Sequence, residues 1–310
     1  MSPSAVYPED DYNVVEASLN HWLDPAKGGH DHYITGTAGY YRRKFDAHPI
    51  KIKDFRGKED EFNINTQGFG YLVSPTVGGD FRDSEKVKKE VYPETEQLLK
   101  DVTGATRVKV FSHILRNDSR DKAEKAVLDN PDVADDAPME DVVPARFVHI
   151  DQSARGAEEV LEDNIHPPEL AEKLKKTRYS IINVWRPIKK VFKDPLAMCD
   201  WRTVNEEEDL KPIMVYLPPK DTGFRYSTIS EGEKFELVYT KYNPNHEWYY
   251  RSGMQPGECL LIKCFDTIND GKTARKVPHS AFTDPNGTDE KRESIEIRCL
   301  VFYEDQPLEG

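Results

Sequence analysis

The amino-acid sequence predicts a mainly β fold, a barrel or jelly roll with α-helical insertions, and three observations carry that reading. From Arg178 onward, six runs of strand length and apolar, β-branched or aromatic character recur: RYSIINVWRPI, KPIMVYLPP, FELVYTKY, HEWYYRSG, ECLLIKCFDT and SIEIRCLVFYE. Clusters of Pro, Gly, Asn and Asp separate them, as in an all-β domain. Upstream, TRVKVFSHIL alternates apolar and polar residues at period two, the pattern of a strand with one buried face. Helical patterns are confined to a few segments and do not alternate regularly with the strands, which argues against a parallel sheet built from βαβ units.

The elements follow in chain order. Residues 1–60 mix Tyr40, Tyr41, Phe45 and Phe55 with Gly, Pro and Asp and sustain no helical period, so they read as an N-terminal wrapping arm with short strands. The segment from Ser84 to Thr103 has apolar residues at helical spacing. It reads as a helix pair broken at Pro93 and capped by Gly104. The TRVKVFSHIL strand ends at Arg116 and Asn117, and residues 117–141, dense in Asp and Glu, read as an exposed acidic loop with a short helix around Lys122 to Leu128. ARFVHIDQS is strand-like, and GAEEVLEDNIHPPELAEKLKKT reads as helix, Pro break, helix. No repeat, low-complexity tract or linker cuts the chain, so residues 1–310 are taken as one domain that includes the arm.

Composition narrows the function classes. Hydrophobic residues at 37% suffice for a core, whereas a net charge of −13 without a basic stripe argues against a nucleic-acid partner. Cys199, Cys259, Cys264 and Cys299 have no CxxC spacing and read as reduced core thiols. The N-terminus lacks a basic segment followed by an apolar one, and no run of 18 apolar residues occurs. The expectation is a cytoplasmic protein with no membrane span and a small-molecule partner.

A metal-binding pattern stands out. In a strand, residues i and i+2 point to one side, so His149 and Asp151 in FVHIDQ aim an imidazole and a carboxylate at one point. The pair alone is weak evidence, since roughly 1.6 His-x-acid occurrences are expected by chance from this composition. His279, in KVPHSAFTDP between two strand runs, supplies a third ligand if a barrel closes on itself. Two His and one carboxylate with three open positions is the arrangement that lets iron(II) bind a co-substrate and O2 together. Arg292, Ser294 and Arg298 share one face of the last strand, where a guanidinium fork beside a hydroxyl suits the distal carboxylate of a diacid, with Arg292 favoured over Arg298.

Other residues carry weaker readings. His30 and His32 form a rival pair in a Gly-rich loop, and His246 reads as a capping or packing residue. His113, on the strand face of Phe111, is placed to line a substrate pocket, as are Asn183 and Trp185 in INVWRPI and Tyr226; ordinary packing is the alternative for each. Lys263, inside an apolar strand, needs a carboxylate such as Asp266 or Glu258.

At FVHIDQS, NVWRPI, HEWYYRSGMQPGECLLIKCFDT, PHSAFTDP and RESIEIRCLVFYE, with YPETEQLLKDVTGATRVKVFSHILR upstream, the chain resembles the fungal AsaB-type hydroxylase/desaturase family, akin to gibberellin desaturase-like proteins and a cephamycin methoxylation component. The likeness runs from about Ile64 to the C-terminus. It implies a double-stranded β-helix (jelly-roll) core, iron(II) at His149, Asp151 and His279, and 2-oxoglutarate and O2 as co-substrates. The implied reaction hydroxylates or desaturates a small organic molecule of natural-product metabolism while 2-oxoglutarate yields succinate and CO2. The long interval before the third ligand departs from compact oxygenases, though the AsaB-like group carries a similar helical insertion. Two rivals stand beside it: a cupin-like iron dioxygenase not using 2-oxoglutarate, and a non-catalytic small-molecule-binding barrel.

Overall fold

A computed structural model describes residues 12–76, 80–219 and 232–308. Its strands are β1 (Asn13–His21), β2 (His32–Ile34), β3 (Asp46–Asp54), β4 (Phe69–Val73), β5 (Arg107–Arg116), β6 (His149–Ile150), β7 (Thr177–Pro187), β8 (Leu196–Cys199), β9 (Leu210–Tyr216), β10 (Lys234–Thr240), β11 (Trp248–Tyr250), β12 (Glu258–Asp266), β13 (His279–Ala281) and β14 (Ser294–Pro307). Among the described residues they form two sheets, ordered β1-β3-β11-β8-β13-β6-β10-β9-β2 and β4-β12-β7-β14-β5. One apolar core joins the sheets, taking Ile150, Met198 and Val238 from the larger and Trp185, Leu260, Ile262 and Leu300 from the smaller. This is the jelly-roll architecture that the recurrent strands predict.

The smaller sheet is buried on both faces, which is why β7, β12 and β14 read as near-continuous apolar runs. Its outer face carries Val110, Ile297, Cys299 and Val301, packed against Val91 and Leu99 of the helical insertion. That insertion is continuous where a break was expected. Asp83 caps its start by accepting from the amides of Glu85 and Lys86, a wide turn spans Val87–Val91, and Pro93 falls in the first turn of the helix Tyr92–Thr103. The wide turn just before it already departs from the regular ladder, so a residue without an amide hydrogen is accommodated without ending the helix. Gly104, at φ 71°, ends the helix as predicted.

The N-terminal segment also departs from expectation. Instead of an arm with short strands, it supplies two nine-residue strands, β1 and β3, paired from Asn13↔Asp54 to His21↔Asp46 at one end of the larger sheet. In β1, Val15, Ala17, Leu19 and His21 are buried and alternate with exposed or half-buried residues, so a period of two was present beneath the turn residues.

Candidate metal centre

His149 opens β6 and His279 opens β13, and the two stand directly opposite each other across that strand pair. Cross-strand partners project to the same side, so the rings face one another with centroids 4.5 Å apart. The Nδ1 of His149 lies 2.9 Å from the carbonyl oxygen of Phe147, and that of His279 lies 2.9 Å from the carbonyl oxygen of Val277. A carbonyl only accepts, so each Nδ1 carries the proton and each Nε2 keeps its lone pair for a metal. Asp151 completes the set: one donor atom from each of the three buried residues lies within 4.8 Å of the others.

Local backbone packing fixes these positions. Gly68, at φ 91°, has no space for a side chain, because a Cβ there would sit 2.3 Å from Val277 Cγ2; this close approach braces the chain leading into β13. Gly156 plays the same part after Asp151. A Cβ at Gly156 would meet the Glu236 carbonyl oxygen at 2.4 Å, so glycine lets the helix Ala154–Asn164 seat on β10, with Ser153 capping its start.

The carboxylate of Asp151 has unequal oxygens. Its Oδ1 lies 3.4 Å from His149 Nε2. Its Oδ2 accepts a short hydrogen bond from Asn183 Nδ2 and lies 3.3 Å from Arg298 Nη2. Burial alone would raise this carboxyl, but the Arg298 guanidinium, with contributions from His149 and His279, holds it well below the usual carboxylate range. Burial, reinforced by His149, pushes His279 down toward the neutral imidazole a metal requires. Two neutral imidazoles and one ionised carboxylate are the donor set of a non-haem iron(II) site, and the residues present fit that ion.

A family model described as "Oxidoreductase/YMDC permease-like domain" matches residues 19–302. The hydroxylase/desaturase CTB9 of Cercospora beticola is 40% identical to this chain over 97% of its length and 90% of that protein's. The hydroxylase/desaturase asaB of Aspergillus flavus is 35% identical over 95% of this chain and 97% of its own. A solved structure of the iron and alpha-ketoglutarate-dependent endoperoxidase NvfI is similar to this chain at TM-score 0.72 and 25% identity, covering 93% and 98% of the two chains. The chain belongs to the AsaB-type hydroxylase/desaturase family of iron(II)- and 2-oxoglutarate-dependent oxygenases. No helix among its described residues is long and apolar enough to cross a membrane.

In this AsaB-type chain the two candidate arginines have different surroundings. Arg292 is buried, donates from Nη1 to the Asp194 carbonyl at 2.7 Å, and lies 5.4 Å from the centroid of the Trp185 ring. Burial pushes its guanidinium down to about 10. Its Nε and the hydroxyl of buried Ser294 have no hydrogen-bond partner among the described residues. Arg298, the alternative clamp, is already engaged: its Nε donates to Glu296 Oε1 at 3.1 Å and its Nη2 faces Asp151.

Of the expected pocket residues, Asn183 reaches Asp151, Trp185 lies beneath Arg292, and Tyr226 lies outside the described residues. The reading of His113 needs correction. An irregularity where β5 meets Arg298 and Cys299 inserts Phe111 between the Val110 and Ser112 pairings, and the extra residue reverses the alternation. His113 consequently pairs with outward-facing Ile297, and its Nδ1 lies 2.8 Å from the Tyr92 hydroxyl under the helical insertion.

The remaining candidates are structural. Lys263 donates to Asp266 at 3.0 Å, and His246 bonds Asp209 at 3.0 Å. His30, Asp31 and His32 line a separate open groove of about 800 Å³, where His32 pairs with Asp31 at 2.6 Å. Glu296 was missed, although the period-two pattern Ser294, Glu296, Arg298 would have placed it on the inward face.

Proposed function

We propose that the protein couples oxidative decarboxylation of 2-oxoglutarate, giving succinate and CO2, to hydroxylation or desaturation of a small organic molecule in natural-product metabolism. The observation that carries the reading is the convergence of His149, Asp151 and His279, with both Nδ1 protons already directed at backbone carbonyls. His149 Nε2, His279 Nε2 and Asp151 Oδ1 would hold iron(II). The bound ion supplies O2 activation and the removal of hydrogen from an unactivated C–H bond.

The chain's own residues bind and orient. Arg292 and Ser294 present an Nε–H and a hydroxyl that have no partner among the described residues, suited to the distal carboxylate of 2-oxoglutarate. A buried guanidinium without a carboxylate partner is costly, and an incoming carboxylate offsets that cost. Asp194, at φ 54°, holds its backbone in the left-handed region and directs its carbonyl at Arg292, fixing the side chain before the co-substrate arrives. The buried walls exclude water from the centre.

The test is succinate formation by anaerobically purified protein given iron(II), ascorbate and 2-oxoglutarate and then exposed to air, with His149→Ala as control. Succinate from the wild type alone is the expected result. Failure of the wild type to bind iron(II) and 2-oxoglutarate would overturn the reading.

A further inference from the structure

Asp151 sits in a set of contacts more elaborate than a ligand needs simply to be present. Its Oδ2 takes the Asn183 amide, faces Arg298 Nη2 at 3.3 Å and lies 4.0 Å from the Cys264 thiol, whereas Oδ1 faces the imidazole of His149 at 3.4 Å. Asn183 and Arg298 are themselves direct cross-strand partners on β7 and β14. An amide donor and a guanidinium charge from adjacent strands of the smaller sheet therefore reach across the core to one oxygen of a residue held by the larger sheet. Glu296, two residues before Arg298 and on the same face, accepts from Arg298 Nε at 3.1 Å and fixes the direction of the guanidinium. All four side chains are buried.

We infer that Asn183 and Arg298 are positioning residues for the metal centre, saturating Oδ2 of Asp151 so that the carboxylate offers the metal Oδ1 alone, with Glu296 anchoring Arg298. This rests on the iron reading above. The coordination arithmetic explains why it matters. Six positions around the ion must accommodate three protein donors, two from a chelating 2-oxo acid and one for O2. A carboxylate binding through both oxygens would take a position that the reaction needs. Donors that hold one oxygen away prevent this, and they do so before the ion arrives. Arg298 also places a positive charge between Asp151 and Glu296, which a buried pair of carboxylates requires.

The experiment titrates the purified, metal-free full chain with cobalt(II) alone, measuring affinity by competition with a chelator and recording the visible d–d spectrum. Asn183→Ala and Arg298→Gln are expected to weaken cobalt(II) binding about 10- to 100-fold, the usual effect of losing an outer partner of a ligand. They are also expected to change the d–d envelope as Asp151 gains freedom to use both oxygens. Arg298→Lys restores the charge without the fork and should recover part of the affinity. His113→Phe, on the opposite side of the smaller sheet from Asn183 and Arg298, should leave both readouts unchanged. Wild-type affinity and spectrum in folded Asn183→Ala and Arg298→Gln would overturn the inference. If Arg298→Gln does not fold, Asn183→Ala decides alone. A wild type that binds cobalt(II) no better than His149→Ala would instead bring down the metal-centre reading itself, and this inference with it.

Discussion

His149 and His279 differ from His21, His48 and His246 in what their ring nitrogens face, although His21 and His246 are as buried as they are. In the first group each Nδ1 is directed at the carbonyl two residues earlier, in the segment that leads into its strand, and both Nε2 atoms converge with a carboxylate. In the second group the rings serve as packing surfaces. His48 stacks on Tyr242 at 3.7 Å, and fully buried His21 lies edge-on to Tyr242, Trp248 and His48 at 5.5 to 6.2 Å. The one carboxylate bonded to His246, Asp209, is also engaged by the Asn205 amide and the Asn243 side chain. Three histidines in a neighbourhood therefore do not make a metal site. Lone pairs left free by a second hydrogen bond, aimed with a carboxylate at one point, do.

The sharpest way to break this comparison is to remove one histidine from each group. His279→Ala should weaken iron(II) binding by more than the roughly 100-fold expected for loss of an outer partner, and succinate formation should disappear with it. His21→Ala should leave iron(II) affinity intact, and an equal loss in both variants would erase the distinction. Within the metal region, Arg292→Ala should weaken 2-oxoglutarate binding by about 10- to 150-fold, the equivalent of a charged hydrogen bond of about 1.5–3 kcal/mol. Cobalt(II) binding measured without 2-oxoglutarate should not move. A parallel loss of both would show that Arg292 supports the fold rather than the co-substrate.

A pH experiment separates the groups more finely. Burial, with His246 and His48 nearby, pushes His21 down from 6.5 to about 4, while Asp46 acts weakly in the other direction. The unfolded chain takes up this proton near pH 6.5 and the folded chain not until about pH 4. The stability tied to neutral His21 is thus fully present above about pH 6.5 and is lost as the pH falls toward 4, by on the order of 3 kcal/mol. His246 is lowered as well, so wild type and variant must be compared directly. Urea unfolding between pH 7 and 4 should fall less steeply for His21→Phe than for wild type. Parallel curves would mean that His21 does not resist protonation in the folded state.

How much of this could be read from the chain differs by element. The His149–Asp151 pair was legible because an i, i+2 spacing is local information, even though β6 itself covers only His149–Ile150, and the long strands of the smaller sheet were legible because burial on both faces makes them continuously apolar. β8 and β13, at four and three residues, are too short to show any period. The N-terminal strands were obscured by the turn residues between them. Arg298 was kept as the second candidate for a co-substrate carboxylate because nothing in sequence brings it to Asp151, almost 150 residues away. That contact exists only once the two sheets close on one another. His113 failed for a different reason: a single inserted residue reverses the face of everything beyond it, and sequence alternation cannot reveal where that insertion falls.

The reversal at His113 yields the smallest predicted effect and a direct check on strand register. If His113 faces the helical insertion, His113→Phe removes the contact with the Tyr92 hydroxyl at 2.8 Å and a longer one with the Ser84 hydroxyl at 3.5 Å. The cost should be about 1 kcal/mol, a fall in Tm of about 2 °C for a chain of this length. The KM for 2-oxoglutarate and the iron(II) affinity should not change, because the substituted ring lies on the opposite side of the smaller sheet from Asn183 and Arg298. A variant that keeps its Tm but loses co-substrate or metal affinity would place His113 on the inward face. The inserted residue would then lie beyond His113 rather than at Phe111, and Ser112, not His113, would face the helix.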